Sequence, residues 1–150
     1  MTVVQICQRE VDLIDLDESA WAAAERMHQR AVGSLIVLNH QHQPLGILTD
    51  RDLVVKVLAP EKSPRTTRVR DIMTTPVRTV LESASIEWAL AVMRDNEIRR
   101  LPVVDGDGKL VGVLALDDIL SVLAKEFNEI GRLLNRQTPR AAIVRPGDEG

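Results

Sequence analysis

Two short stretches of this chain carry side chains suited to gripping a small polar molecule. The first is Thr49-Asp50-Arg51-Asp52, which leads into an apolar run ending near Leu58. A carboxylate at a helix start accepts two hydrogen bonds at once, which matches a pair of vicinal hydroxyls. The same Thr-x-x-Asp spacing is a capping box, with Thr49 as the cap and Asp52 answering from the third helical position. Both readings stay open, and both can hold together. The second stretch is Arg99-Arg100, at the start of a strand candidate. Adjacent strand residues face opposite ways, and a planar guanidinium fork suits phosphate oxygens. Surface pairing with Asp95 or Glu97 is the competing reading.

An internal repeat positions both stretches. Val11, Ser19, Ala23, Leu35, Val37, Gly46, Leu48 and Asp52 recur 66 residues later as Val77, Ser85, Ala89, Leu101, Val103, Gly112, Leu114 and Asp118. A period shared by core-type positions means two copies of one folding unit, with a pseudo-twofold cleft between them. The copies disagree where it matters. Thr49 becomes Ala115, while the counterparts of Arg99 and Arg100 are the uncharged Gly33 and Ser34. One end of the cleft therefore carries the cations and the hydroxyl, and the other keeps only the Asp118 carboxylate.

Each copy reads as β-α-β-β-α. In the first, an extended lead-in at residues 3–7 precedes a strand at 11–14. A helix capped by Ser19 runs to about Gln29. Strands at 35–38 and 46–48 then make a hairpin, and a helix at 52–58 is ended by Pro60. The second copy gives a strand at 78–80 and a helix capped by Ser85. A hairpin at 101–104 and 110–114 turns at 105–108, and a helix follows at 118–124. The expected layout is a first domain at 4–60, a linker at 61–69 and a second domain at 70–125. A helical extension at 126–136, with an apolar stripe of Phe127, Ile130, Leu133 and Leu134, precedes a loose tail at 137–150.

Composition narrows the function classes. With 150 residues, 45% apolar and 27% charged, the chain suits one globule or two small halves. A net charge of −3 argues against general nucleic-acid binding. Only 2% of residues are aromatic, with no Tyr, which leaves no stacking platform for single strands. No run is long and apolar enough for a membrane span, and the first ten residues lack the pattern of a signal peptide. A cytoplasmic location is expected. The single Cys7 makes no intrachain disulfide. His40 and His42 lack further ligands and read as a solvated turn rather than a metal site. No activated nucleophile, phosphate-cradling glycine loop or metal ligand set points to an enzyme.

The tandem unit, with Arg100-Leu101-Pro102-Val103-Val104-Asp105 and Gly46-Ile47-Leu48-Thr49-Asp50-Arg51-Asp52, resembles the cystathionine-β-synthase (CBS) domain pair, or Bateman module. Asp71-Ile72-Met73-Thr74 ahead of the second copy is also typical, and the resemblance covers about residues 4–125. It implies an α/β fold of two repeats packed as a pseudo-twofold pair, with a nucleotide cleft at each end of their interface. It also implies disk-like homodimers and adenosine-containing ligands: AMP, ADP, ATP, NAD or S-adenosylmethionine.

On the pattern of that family, Asp52 holds a ribose, while Arg99 and Arg100 reach its phosphates from the other copy. Thr49, Arg51, Arg70 and Arg78 add polar contacts. The backbone of Thr79 and Val80 meets the adenine edge, between Ile47 and Val103 as apolar walls. The second cleft, with Gly33, Ser34, Val113 and Asp118, is expected to be weak. The first helix of each copy forms the dimer face in such modules, so Trp21, Met27, Trp88 and Met93 are interface candidates. Indoles that merely cover their own cores are the alternative. The implied function is a non-enzymatic adenosine-nucleotide sensor, for AMP foremost and ATP or NAD next, acting on an effector protein in trans. The alternative is a ligand-independent dimerising scaffold with degenerate clefts.

Overall fold

Ser19 and Ser85 start equivalent helices by the same device. Each hydroxyl accepts the amide of the residue three positions on, Ala22 or Trp88, at 3.1 Å, which satisfies one orphan donor of the first turn. The computed structural model describes residues 1–137. In the first half, α1 (Ala20–Arg30) precedes an antiparallel hairpin of β1 (Ser34–Leu38) and β2 (Pro44–Thr49). α2 (Asp50–Leu53) continues as a π-helical turn, Val54–Leu58, and a short α3 (Val69–Ile72) follows. The second half holds β3 (Val80–Leu81), α4 (Ile86–Asn96), β4 (Arg100–Val104), β5 (Leu110–Ala115) and α5 (Leu116–Gln137). Here β3 runs parallel to β4, which pairs antiparallel with β5.

Two expected elements differ. The strand at 11–14 reduces to a single parallel bridge from Leu13 to Ile36, because Ile14 alone of that stretch is buried and pins it. The lead-in is not extended: Val3–Gln5 is a 3-10 turn, and the equivalent 69–72 is α3. The lead-ins also cross over. Val3 is buried with Val80, Leu101 and Leu114 of the second half, while Val69 and Ile72 are buried with Leu35 and Leu48 of the first. Each half's core is completed by the segment that precedes the other.

Backbone pairing repeats the exchange. Gln8 bridges Val113 and Thr74 bridges Ile47, again 66 residues apart. Glycine is needed beside each bridge. A β-carbon at Gly112 would stand 2.4 Å from the Gln8 carbonyl oxygen, and one at Gly46 would stand 3.0 Å from that of Thr74. The halves are therefore woven together, and the clefts lie where a lead-in meets the opposite hairpin.

Packing divides the described chain into Met1–Ile119 and a second unit from Leu120 onward. In the second unit α5 carries Leu120, Leu123, Phe127, Ile130, Leu133 and Leu134 as exposed apolar residues. Among the described residues no helix is long and apolar enough to cross a membrane. The tail expected at 137–150 lies, from residue 138, outside the described residues.

Candidate functional site

A cavity of about 350 Å³ opens where β2 and α2 of the first half face the 74–78 segment and the start of β4. Such a volume lies in the range of small-molecule pockets. Ile47, Thr49, Arg51 and Asp52 line it from the first half, and Arg78, Arg99 and Arg100 from the second. The capping box is formed in full. Asp52 Oδ2 accepts the Thr49 amide at 2.9 Å and its hydroxyl at 3.1 Å, and the Asp52 amide donates to Thr49 Oγ1 at 3.3 Å. The other carboxylate oxygen meets Lys56 Nζ at 3.1 Å, and the same ammonium donates to the Ile72 carbonyl at 2.9 Å. Asp52 is thus rigidly oriented, with its side chain only 13% exposed.

The arginines are differently placed. Among the described residues none of Arg51, Arg78, Arg99 and Arg100 forms an ion pair. Asp95, a proposed partner, is taken by Arg94 at 2.9 Å. Four unneutralised guanidinium groups on one cavity make an anion-attracting wall, against the carboxylates of Asp50, Asp52 and Glu97.

Some expected residues lie elsewhere. Arg70 is turned away to the Asp17 carboxylate, and its amide donates to the Leu16 carbonyl at 3.1 Å. Thr79, exposed, and Val80, buried in the core, lie outside the lining, and Val103 is buried in the core and presents no wall. Thr74, Pro76 and Val77 take that place, because the Thr74–Ile47 bridge draws the segment into the cleft. Sequence reasoning missed them, along with Asp50, Glu97, Ile98 and Lys56. The signal for the 74–78 segment was Gly46, whose missing side chain marks a close backbone approach.

The opposite cavity is smaller, about 160 Å³. Ser34, Val113 and Asp118 line it, with Glu10, Asp12 and Ala115. Asp118 accepts the Ala115 amide and the Gln8 side-chain amide, each at 3.0 Å, so its carboxylate is held without the lost hydroxyl. Two expectations change here. Gly33 does not line this cavity. The cavity is also not without a cationic residue, because Arg100, paired with Ala115 across the hairpin, lines it as well. One arginine faces three carboxylates, of which Glu10 and Asp12 are paired with Arg30 at 2.5 and 2.7 Å.

The interface candidates separate by type. Met27 and Met93 are 7% and 4% exposed and belong to their own halves' cores, because each sits on the inward stripe of its helix. Trp88 is 61% exposed and Trp21 38%, the latter beneath the Arg65 guanidinium at 4.3 Å from the ring centre. Neither indole is a core residue. Among the described residues no group of three or more His, Cys, Asp or Glu could hold a metal ion.

Comparison with known proteins agrees with this architecture. Uncharacterized protein MK0525 of Methanopyrus kandleri is 40% identical over 122 residues, 81% of this chain and 62% of that protein's length. Hypoxic response protein 1 of Mycobacterium tuberculosis is 32% identical over 118 residues, 79% of this chain and 82% of its own. The solved structure of a protein with CBS domains from Burkholderia ambifaria shares 35% identity. It superposes with a TM-score of 0.75 over 83% of this chain and 95% of that one. The cytosolic domain of the Mg2+ channel MgtE, solved with ATP, shares 27% with a TM-score of 0.69 over 81% of this chain and 48% of that one. The CBS domain pair of MJ0100, solved with 5′-methylthioadenosine and S-adenosylmethionine, shares the fold at 24% identity. Its TM-score is 0.76 over 84% of this chain and 98% of that one. The CBS domain family matches residues 3–59 and 69–125, and the chain belongs to that family as a pair of CBS domains.

Proposed function

We propose that this CBS pair is a non-enzymatic regulatory module that binds an adenosine nucleotide, AMP foremost, in the four-arginine cleft. The observation that carries this reading is the meeting of unlike chemistries across the seam. An oriented carboxylate from one half, Asp52, faces arginines from the other, with no ion pair to neutralise them among the described residues. Asp52 takes the ribose hydroxyls, and Arg78, Arg99 and Arg100 take phosphate oxygens. Ile47, Val77 and Ile98 supply the apolar surface a base requires. ATP on MgtE and two adenosine ligands on MJ0100 support the ligand class.

Binding across the seam ties the halves together, and an effector protein reads the change only if it binds the two states differently. The exposed Trp88 and Trp21 support self-association through the first helices, and a CBS-CP12 relative assembles as a hexamer. The test is calorimetric titration with AMP, ATP, NAD, S-adenosylmethionine and adenosine. Saturation near one equivalent per chain, tighter for AMP than for adenosine, is expected. No heat from any of them would favour a ligand-independent scaffold instead.

A further inference from the structure

Arg100 stands on the seam between the halves and lines both cavities. Its counterpart in the first half, Ser34, reaches only the smaller one. A β-carbon added at Gly33 would stand 3.2 Å from Arg100 Nη2 and 3.1 Å from Asp50 Oδ2. The guanidinium therefore lies over that glycine, in space any other side chain would take. Among the described residues Arg100 has no ion pair that would fix it to one side. One cation stands between a cavity with three further arginines beside Asp50, Asp52 and Glu97, and a cavity lined by Asp118 and by Glu10 and Asp12, the last two paired with Arg30.

We propose that Arg100 is a cation shared by the two clefts, which makes them antagonistic for anions. A phosphate in the larger cleft draws the guanidinium towards itself. The smaller cleft is then left with the Asp118 carboxylate and with Glu10 and Asp12 already held by Arg30, and with no other cation in its lining, so it refuses a second anion and admits only a neutral or cationic occupant. Linkage makes the effect reciprocal, since an anion seated beside Asp118 must weaken binding beside Asp52 by the same factor. A factor of about five or more is expected, the lower end of coupling between sites. The proposal rests on the nucleotide reading of the larger cleft, and it adds a reason why one chain takes one nucleotide.

The test is an amide NMR titration with AMP on the full chain, on Arg100→Ser and on Ser34→Arg. In the unaltered protein, the Thr49 and Asp52 amides move with those of Ala115 and Asp118 along one curve complete at one equivalent. Arg100→Ser still shows the Thr49 and Asp52 shifts, at least about fivefold weaker, while Ala115 and Asp118 stay still. Ser34→Arg, which gives the smaller cleft its own cation, takes up a second equivalent. If Ala115 and Asp118 stay still in the unaltered protein, or follow AMP equally in Arg100→Ser, the sharing is overturned. Should AMP move no amide in either cleft, the nucleotide reading falls. Inorganic pyrophosphate, which needs only the arginines, then replaces it with the same two outcomes, and its failure to move either set overturns the sharing too.

Discussion

The ammonium of Lys56 stands 3.1 Å from Asp52 Oδ1, one helical turn beyond the carboxylate it neutralises. It also ties α2 to the Ile72 carbonyl, so one side chain both orients Asp52 and anchors the crossed-over lead-in. Its own exposure of 41% limits its energetic weight. Lys56→Ala should cost about 1 kcal/mol or less in urea unfolding. It should also weaken AMP less than Asp52→Ala does. A larger loss of AMP from the lysine variant would make Lys56, not Asp52, the binding group.

The observed role of Asp52 as a cap and its proposed role as ribose acceptor can be separated. Unaltered protein should prefer AMP over 2′-deoxy-AMP by about tenfold, the scale of one hydrogen bond to a charged group. Asp52→Asn, which keeps the shape, should abolish most of that preference while losing only part of the cap. The same preference in both proteins, measured by calorimetry, would remove Asp52 from the ribose.

Methionine and tryptophan on the first helices should behave oppositely. Met27→Ala and Met93→Ala each empty a core position and should cost about 2–5 kcal/mol, with no change in oligomeric state. Trp88→Ala should leave stability nearly unchanged and weaken self-association. Sedimentation showing the same species before and after the Trp88 change would contradict this assignment.

Much of the fold was legible because most core and capping signals appear twice. The Ser19 and Ser85 caps, the hairpins and the Arg99/Gly33 asymmetry all follow from one offset. The crossing of the lead-ins was not legible. Val3 and Val69 are apolar in either arrangement, and nothing local says which core receives them. Arg70 was misplaced for a similar reason, since its partner Asp17 lies 53 residues away in sequence. Lys56 could have been found from its four-residue spacing to Asp52, but a lysine at a helix end usually reads as solvated. That Arg100 lines both cavities needed coordinates, because strand alternation gives a face and not the cavities that a residue on the seam borders.

The crossing itself is open to test through the glycines. Gly112→Ala would press a β-carbon to 2.4 Å from the Gln8 carbonyl oxygen. That bridge carries hydrogen bonds of 2.9 Å in both directions, Gln8 to Val113 and back. The substitution should cost about 1–3 kcal/mol as the lead-in is pushed off. Gly46→Ala should cost less, because its tightest neighbour is the flexible Met73 thioether. Equal and negligible costs would mean that the lead-ins are not docked as described.

Acid sensitivity should have an identifiable source in Glu18. The Arg26 guanidinium donates to both carboxylate oxygens, at 2.7 and 2.9 Å, and holds the group below the ordinary carboxylate range despite partial burial. The unfolded chain therefore takes up this proton at higher pH than the folded one. The stabilisation is complete above the ordinary carboxylate pKa and is lost as pH falls through the depressed value. Thermal midpoints of unaltered protein and Glu18→Gln should differ near neutrality and converge in acid. A gap that stays constant into strong acid would assign the stabilisation elsewhere.

The most direct measurement is a crystal structure of the protein grown with AMP. One nucleotide per chain is expected, with ribose hydroxyls on Asp52, phosphate oxygens among Arg78, Arg99 and Arg100, and no nucleotide beside Asp118. An empty four-arginine cleft at saturating AMP, or a nucleotide seated only beside Asp118, would contradict it.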